Sequence, residues 1–336
     1  MKISNNSTKK IKYLIAKIIP ESLWNVMARL MRRRRRYQYQ EKKRIRNNKK
    51  PIYYVIRRTP PGAGLFSNVN HVAQGIIYAL ENDFVPVVDQ LNYWTWYSEN
   101  KPIMGNRNAW EYFFNQPSGQ KVTSKLFNDH NYVLSKGDRI LGKEHWMNDL
   151  GLNFVTDKYK IEFLHGIYSK YIQLNDFSLT GISEIESYID FNCNNTLGIF
   201  YRGTEYSLTR PKGHARQPEH DDILLKIEKK IEEIPNINRL FLATEDKELR
   251  YKIQDRYKSM VYRDFRSEKT NHFSEEIKTT MKSTKNLKHT LEYIIETEIL
   301  SKCDYVIASV ANGSCTARIR GISKNKQFEF IQLGSY

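Results

Sequence analysis

From Pro51 onward the chain alternates short apolar runs with stretches of helical periodicity. Residues 52–57 form a β-rich run that ends in the turn Pro60-Pro61-Gly62-Ala63-Gly64. Ser67 then stands as a helix N-cap, and Val69, Val72, Ala73, Ile76, Ile77 and Leu80 follow at helical spacing as far as Glu81. Residues 84–88 read as a second strand ending at Asp89, which completes a βαβ unit. Its glycine turn lets a ligand approach the backbone closely. The pair Gly62-x-Gly64 lacks the Gly-Lys-Ser/Thr of a P-loop and the third glycine of a dinucleotide fold. Residues 90–190 are aromatic-rich, with Trp94, Trp96, Trp110 and Trp146, and read as helices and long loops.

The second half alternates more cleanly. Strands are expected at 197–201, 239–243, 260–262, 304–308 and 328–333. Helices are expected at 221–234, from the 244–246 cap to 257, at 287–302, and after the loop 309–314. Strand and helix in strict alternation predict a parallel, doubly wound sheet. A length of 336 residues suits two domains, divided here near residue 190.

The formal net charge of +17 resembles a nucleic-acid signature until it is located. Residues 1–50 carry 17 of the 54 basic residues and only two acidic ones, Glu21 and Glu41, so the remaining 286 residues have a net charge of only +2. The basic character belongs to an arm. Residues 10–31 mix apolar side chains, Trp24 among them, with lysines, and Pro20 divides them into two short helices. The longest apolar run there, residues 13–16, is far below the roughly 20 residues that span a bilayer, and no signal-peptide pattern is present. An amphipathic segment beside the Arg32–Arg36 block reads as attachment to an anionic membrane surface. A solvated basic tail is the plainer alternative. Nucleic-acid binding is disfavoured, because the arginine run lacks interleaved aromatics. Cys193, Cys303 and Cys315 have neither disulfide-framework nor zinc spacing and read as buried small hydrophobes, which points to a reducing cytoplasmic compartment.

Three strand-end loops in the second half carry the candidate chemistry. The apolar run 197–201 breaks into Arg202-Gly203-Thr204-Glu205, and an arginine at the rim of a sheet suits phosphate oxygens. Ala243-Thr244-Glu245-Asp246 offers two carboxylates, of which helix capping accounts for at least one. Ser309 to Ser314 supplies hydroxyls and backbone N–H groups at a helix start, a ready anion site. The chain contains no Asp-x-Asp pair and no His-Glu-x-x-His, so a carboxylate-held cation has no support and no metal or other cofactor is expected.

Tyr-Arg-Gly-Thr-Glu-Tyr (201–206) followed by Arg-Pro-Lys-Gly-His-x-x-Gln-Pro (210–218) resembles the core motif of bacterial glycosyltransferases in the fucosyltransferase superfamily, relatives of the nodulation α-1,6-fucosyltransferases and the protein O-fucosyltransferases. The resemblance runs in order through 64–71, 86–89, 108–114, 240–246 and 300–305, and covers about residues 52–318. It implies an α/β fold of the GT-B type, with an acceptor-side domain (51–190) and a nucleotide-sugar-binding domain (191–336); the basic N-terminal helical arm (1–50) lies outside the resemblance. It further implies a GDP-sugar donor, inversion at the anomeric carbon and no metal.

Carried over by position, Arg202 contacts the donor diphosphate, Glu296 reads the guanine edge, and Ser309, Asn312, Gly313 and Ser314 belong to the phosphate loop. Gly64, Phe200, Thr244, Glu245 and Asp246 complete the expected donor-binding set. The chain departs from the family in having Gly203 where many relatives have a second arginine, and Glu205 and Glu296 where they have Asp; serines near Ala311 are also fewer. Arg202 is then the single arginine on the leaving diphosphate, with Glu205 as first and His214 as second candidate for a general base. A structural histidine in a Pro/Gly turn is the competing reading of His214. The expected partners are GDP-fucose or a related GDP-sugar, a glycan or lipid-linked glycan acceptor, and an anionic membrane on the cytoplasmic face; nucleic acid is not among them. The rival reading is a GT-B relative that has lost turnover and serves as a membrane-attached scaffold.

Overall fold

The computed structural model describes residues 42–45, 50–137, 157–203, 210, 214–266, 273–281 and 285–336. Most of the basic arm, Trp146 and the candidate base Glu205 lie outside the described residues.

The first sheet contains β1 (Lys42–Arg44), β2 (Ile52–Ile56), β3 (Val85–Val88) and β4 (Asn131–Leu134), in the order β1-β4-β2-β3. β2 runs parallel to both β3 and β4, and β1 closes the edge antiparallel to β4. Pro86 is tolerated because β3 is an edge strand. Between β2 and β3 runs α1 (Leu65–Glu81), whose N-cap is Gly64 and not Ser67. The earlier start comes from Asn68. Its side-chain amide clamps Ala63, accepting from the backbone N–H at 3.2 Å and donating to the carbonyl at 2.9 Å. Gly62 turns the chain at φ +71°, and a Cβ there would meet Asn68 Oδ1 at 2.9 Å. Glycine is required at that position for both reasons.

Two strands were not legible. β1 precedes the expected start of the fold at Pro51, and β4 lies in the stretch read as helices and loops. The same stretch forms α2 (Ser124–Asp129), α3 (Lys158–Tyr171) and α4 (Asp176–Tyr188).

The second sheet is wholly parallel: β5 (Thr196–Tyr201), β6 (Arg239–Thr244), β7 (Tyr305–Ser309) and β8 (Gln327–Ile331), in the order β6-β5-β7-β8. Five helices accompany it: α5 (His220–Glu233), α6 (Lys247–Arg256), α7 (Glu275–Met281), α8 (Lys285–Lys302) and α9 (Asn312–Gly321). The strand expected at 260–262 is corrected to a single bridge, Val261 against Leu240, held by one backbone bond on each side.

Alternation along β5 sorts the two layers. Leu197, Ile199 and Tyr201 pack with Ile223, Ile227, Leu249 and Ile253 from α5 and α6. Phe200 faces the other layer, with Leu291, Ile295 and Ile299 of α8. Gly198 lets α8 close on the sheet, since a Cβ there would meet Leu300 Cδ1 at 2.6 Å and Cys303 Sγ at 3.1 Å. One apolar cluster continues from this layer through α4, α3 and α1 to Tyr54 and Ile56 of the first sheet. The two sheets therefore share a core. Cys303 and Cys315 are buried in it, as expected; Cys193 is exposed, which corrects that part of the cysteine reading.

In the second sheet the chain moves from β5 outward to β6, then returns across β5 to β7 and β8. The reversal lies between β5 and β7. Open parallel sheets bind ligands at the carboxyl ends of the two strands flanking such a point. Here those ends are Tyr201-Arg202 and Ser309, and the backbone N–H of Arg202 donates to Ser309 Oγ at 3.2 Å.

Candidate active site

A cleft of about 400 Å³ opens where these strand ends face the loops that follow β2 and β3. The first sheet contributes Gly64, Leu65, Trp96 and Tyr97. The second contributes Arg202 after β5 and Glu245 after β6. The first turns of α8 supply Asn286, His289, Thr290 and Tyr293, and Arg266 forms part of the wall. Trp96 keeps 42% of its surface exposed at the rim.

Arg202 is the residue around which the rest is arranged. Its Nη1 donates to the Tyr293 hydroxyl at 3.4 Å, and its guanidinium carbon stands 6.0 Å from the centre of that ring. Tyr97, in the same wall, has its phenol pushed up to about 12 by burial, which Arg202 and Arg58 partly oppose. Both tyrosines therefore remain neutral hydroxyls at physiological pH, since burial raises Tyr293 as well.

The expected site residues separate into three groups. Gly64, Arg202 and Glu245 line the cleft. A second group lies directly behind it, with side chains engaged in holding the loop. The Ser314 hydroxyl donates to the Ser309 carbonyl at 2.6 Å and accepts from Ala311 N–H at 3.0 Å. Asn312 Oδ1 accepts from Asn70 Nδ2 at 2.8 Å, while Asn70 Oδ1 accepts from the Tyr168 hydroxyl at 2.5 Å. Gly313 sits under Tyr293: a Cβ there would lie 2.3 Å from the phenol oxygen. The third group is away from the cleft wall. Phe200 is core. Thr244 Oγ1 accepts from the Asp246 N–H at 3.1 Å, and Asp246 caps α6 through Leu249 N–H at 2.9 Å and pairs with His220 at 3.2 Å. Capping thus accounts for Asp246. His214 is exposed and does not line the cleft.

Glu296 is buried one turn beyond Tyr293 and stands behind Arg266. Its Oε2 takes the Arg266 guanidinium, while Oε1 has no hydrogen-bond partner among the described residues. Burial pushes this carboxyl up to about 7, against the pull of Arg266 and Arg250. On the same helix face, buried Glu292 is raised by desolvation although Lys288 (3.7 Å) and His289 (3.4 Å) flank it.

Sequence reading missed Tyr97, Arg266, Asn286, His289, Thr290 and Tyr293. The α8 residues did leave a signal. Residues 286, 289, 290 and 293 recur at three- and four-residue spacing, a polar stripe on a helix already marked by Glu296. Arg266 left none, because it lies in irregular chain outside any helix or strand. Among the described residues no cluster of His, Cys, Asp and Glu is arranged to hold a metal ion, and no helix is long and apolar enough to cross a membrane.

No family model matches the chain, and no curated protein matches it. Solved structures similar to it include the fucosyltransferase NodZ from Bradyrhizobium, at 14% identity and TM-score 0.45, with 81% of this chain and 93% of that one covered. A variant of Arabidopsis thaliana FUT1 in complex with GDP is 12% identical at TM-score 0.48, covering 86% and 72%. POFUT1 in complex with GDP-fucose is 10% identical at TM-score 0.44, covering 85% and 98%. These neighbours are fucosyltransferases by name or by bound donor. Every one of the three falls below a TM-score of 0.5, so the functional reading rests on this chain's own residues.

Proposed function

We propose that this protein is a GT-B glycosyltransferase that moves fucose, or a related sugar, from a GDP-sugar to a glycan acceptor, with inversion and without a metal. The observation that carries the reading is Arg202: it lines the cleft, its backbone is tied to Ser309, and it lies at the strand-order reversal of a parallel sheet. The ordered motifs around residues 201–218 support the same assignment.

In the reaction a bond forms between the acceptor oxygen and C1 of the sugar, and the bond from C1 to the β-phosphate oxygen breaks. The leaving diphosphate gains negative charge as this happens. Arg202 meets that charge with a planar fork already placed in the cleft, the role a bound cation plays in metal-dependent enzymes. The acceptor's proton passes to Glu205 in this reading, with His214 as the second candidate. Glu296 accepts from guanine N1–H and N2–H, one on each carboxylate oxygen: Oε1, which has no partner among the described residues, and Oε2, which Arg266 gives up as it moves aside. Trp96 and the 51–190 half present the acceptor. The basic arm holds the enzyme at the cytoplasmic face of the plasma membrane, where an acceptor for surface polysaccharide synthesis is found.

The test is a calorimetric titration of GDP and UDP, each in the presence of EDTA. GDP should bind and UDP should bind far more weakly, because uracil lacks the paired N1–H and N2–H edge. Equal affinities, or GDP binding that EDTA abolishes, would remove the assignment.

A further inference from the structure

We propose that Tyr293 is the positioning residue for Arg202, and that residue 313 is glycine so that the phenol can reach it. This rests on the reading of Arg202 as the diphosphate ligand.

Four elements meet at the Tyr293 side chain. Its own helix, α8, brings it in from the second half. Phe66 of α1 packs edge-on against the ring at 4.8 Å between centroids, with the planes 78° apart. Gly313, at the second position of α9, leaves its Cα bare beneath the hydroxyl; a methyl there would fall 2.3 Å from the oxygen and 2.9 Å from Cζ. Arg202 then donates to that oxygen and lies over the ring. Two of the contacts, Phe66 and Gly313, are made with the Tyr293 ring and hydroxyl themselves. They fix the phenol whether or not a ligand is present, and the phenol in turn limits where the guanidinium can go.

An arginine side chain loses much rotamer freedom when it is ordered on a ligand. A site that orders it beforehand spends less of that on meeting the transition state. Tyr293 also links the two halves at the reacting end of the cleft, because Phe66 belongs to the first sheet's helix and Arg202 to the second sheet. The arginine is aimed only when the halves are packed as they are here.

The experiment compares Tyr293→Phe, Gly313→Ala, Arg202→Lys and their pairs. Tyr293→Phe removes one oxygen and should fold; turnover should fall about ten-fold, with the donor KM changed less than three-fold. Gly313→Ala should cost at least as much in the wild-type background and distinctly less beside Tyr293→Phe, because the worst clash, 2.3 Å to the oxygen, is gone and only the 2.9 Å contact with Cζ and the 3.1 Å contact with Cε2 remain. Tyr293→Phe should cost little in the Arg202→Lys background. Normal turnover in Tyr293→Phe, while the wild type transfers sugar, overturns the positioning role and leaves the assignment of the site intact. Should the wild type bind no GDP, the functional reading falls and the melting temperatures decide the positioning. Non-additive shifts for Tyr293→Phe with Arg202→Lys support it, and additive shifts overturn it.

Discussion

Replacing Arg202 by lysine tests the chemistry with little disturbance of the fold. The backbone of residue 202 is fixed by its own N–H bond to Ser309 Oγ, so the new side chain leaves from the same point. A lysine keeps the unit charge and part of its Coulomb attraction, which for two charges at 4 Å is about 4 kcal/mol at an effective dielectric of 20. It loses the two-pronged contact, and it has no planar face to lie over Tyr293 at 6.0 Å. Removing one preorganised donor from an oxyanion site costs about 2.7–4 kcal/mol, or 10²–10³ in turnover. Since charge is retained, the lower end applies: a drop of about 10² in transfer, with GDP affinity falling by less than ten-fold. Single-turnover transfer from GDP-fucose measures the first and calorimetry the second. Stability should change by no more than about 1 kcal/mol, read from the urea midpoint. Near-normal transfer by Arg202→Lys would show that the arginine only braces the loop, and the proposed mechanism would be wrong.

Gly198→Ala should destabilise the protein by about 1–3 kcal/mol through overpacking, since its Cβ would enter Leu300 and Cys303; an unchanged urea midpoint would contradict the packing of α8 on β5. Glu296 has a folded pKa of about 7 against an ordinary value of 4.5, so the folded state favours its proton. Its contribution is fully present below about pH 4.5, declines as pH rises, and is lost above about pH 7, up to about 3 kcal/mol in total. Glu296→Gln should remove that slope from the stability profile relative to wild type, and identical profiles would refute the shift. The basic arm should bind anionic vesicles at low salt and release them as salt rises, at roughly 1 kcal/mol per basic residue near the surface. A chain truncated to begin at Lys42, which retains β1, should lose the vesicles and keep GDP, and co-sedimentation of that chain would rule out the arm as anchor.

The second sheet was legible because β5, β6 and β7 are apolar runs, each with a helix following it in the chain. β5, β6 and β7 fall within a residue or two of where the pattern puts them. β4 escaped because four residues among tryptophans and tyrosines produce too few alternations to separate strand from loop. β1 escaped because Lys42, Lys43 and Arg44 carry no apolar signal; the strand exists through backbone pairing with β4 at a charged edge, where lysines also discourage pairing with other chains. The site divided in the same way. Arg202 could be read because a buried run ends on it. Tyr293 left only its place on the polar stripe of α8; its role lies in contacts with residues 66, 202 and 313, which only the fold brings together.

Those contacts also change what the loop 309–314 contributes. As sequence, it offered hydroxyls, an amide and free N–H groups to an anion. In the fold, Ser314 closes its own turn, Ser309 holds the Arg202 backbone, Asn312 reaches Asn70 on α1, and Gly313 lies under a phenol. The loop's polar side chains are engaged in structure. Among the described residues, charge in the cleft wall comes from Arg202 and Arg266 and the carboxylate of Glu245. Arg266 is itself committed to buried Glu296, while Arg202 lines the cleft and donates to the Tyr293 hydroxyl. In the proposed reading Arg202 meets the donor diphosphate, and the loop's role becomes to hold that arginine still.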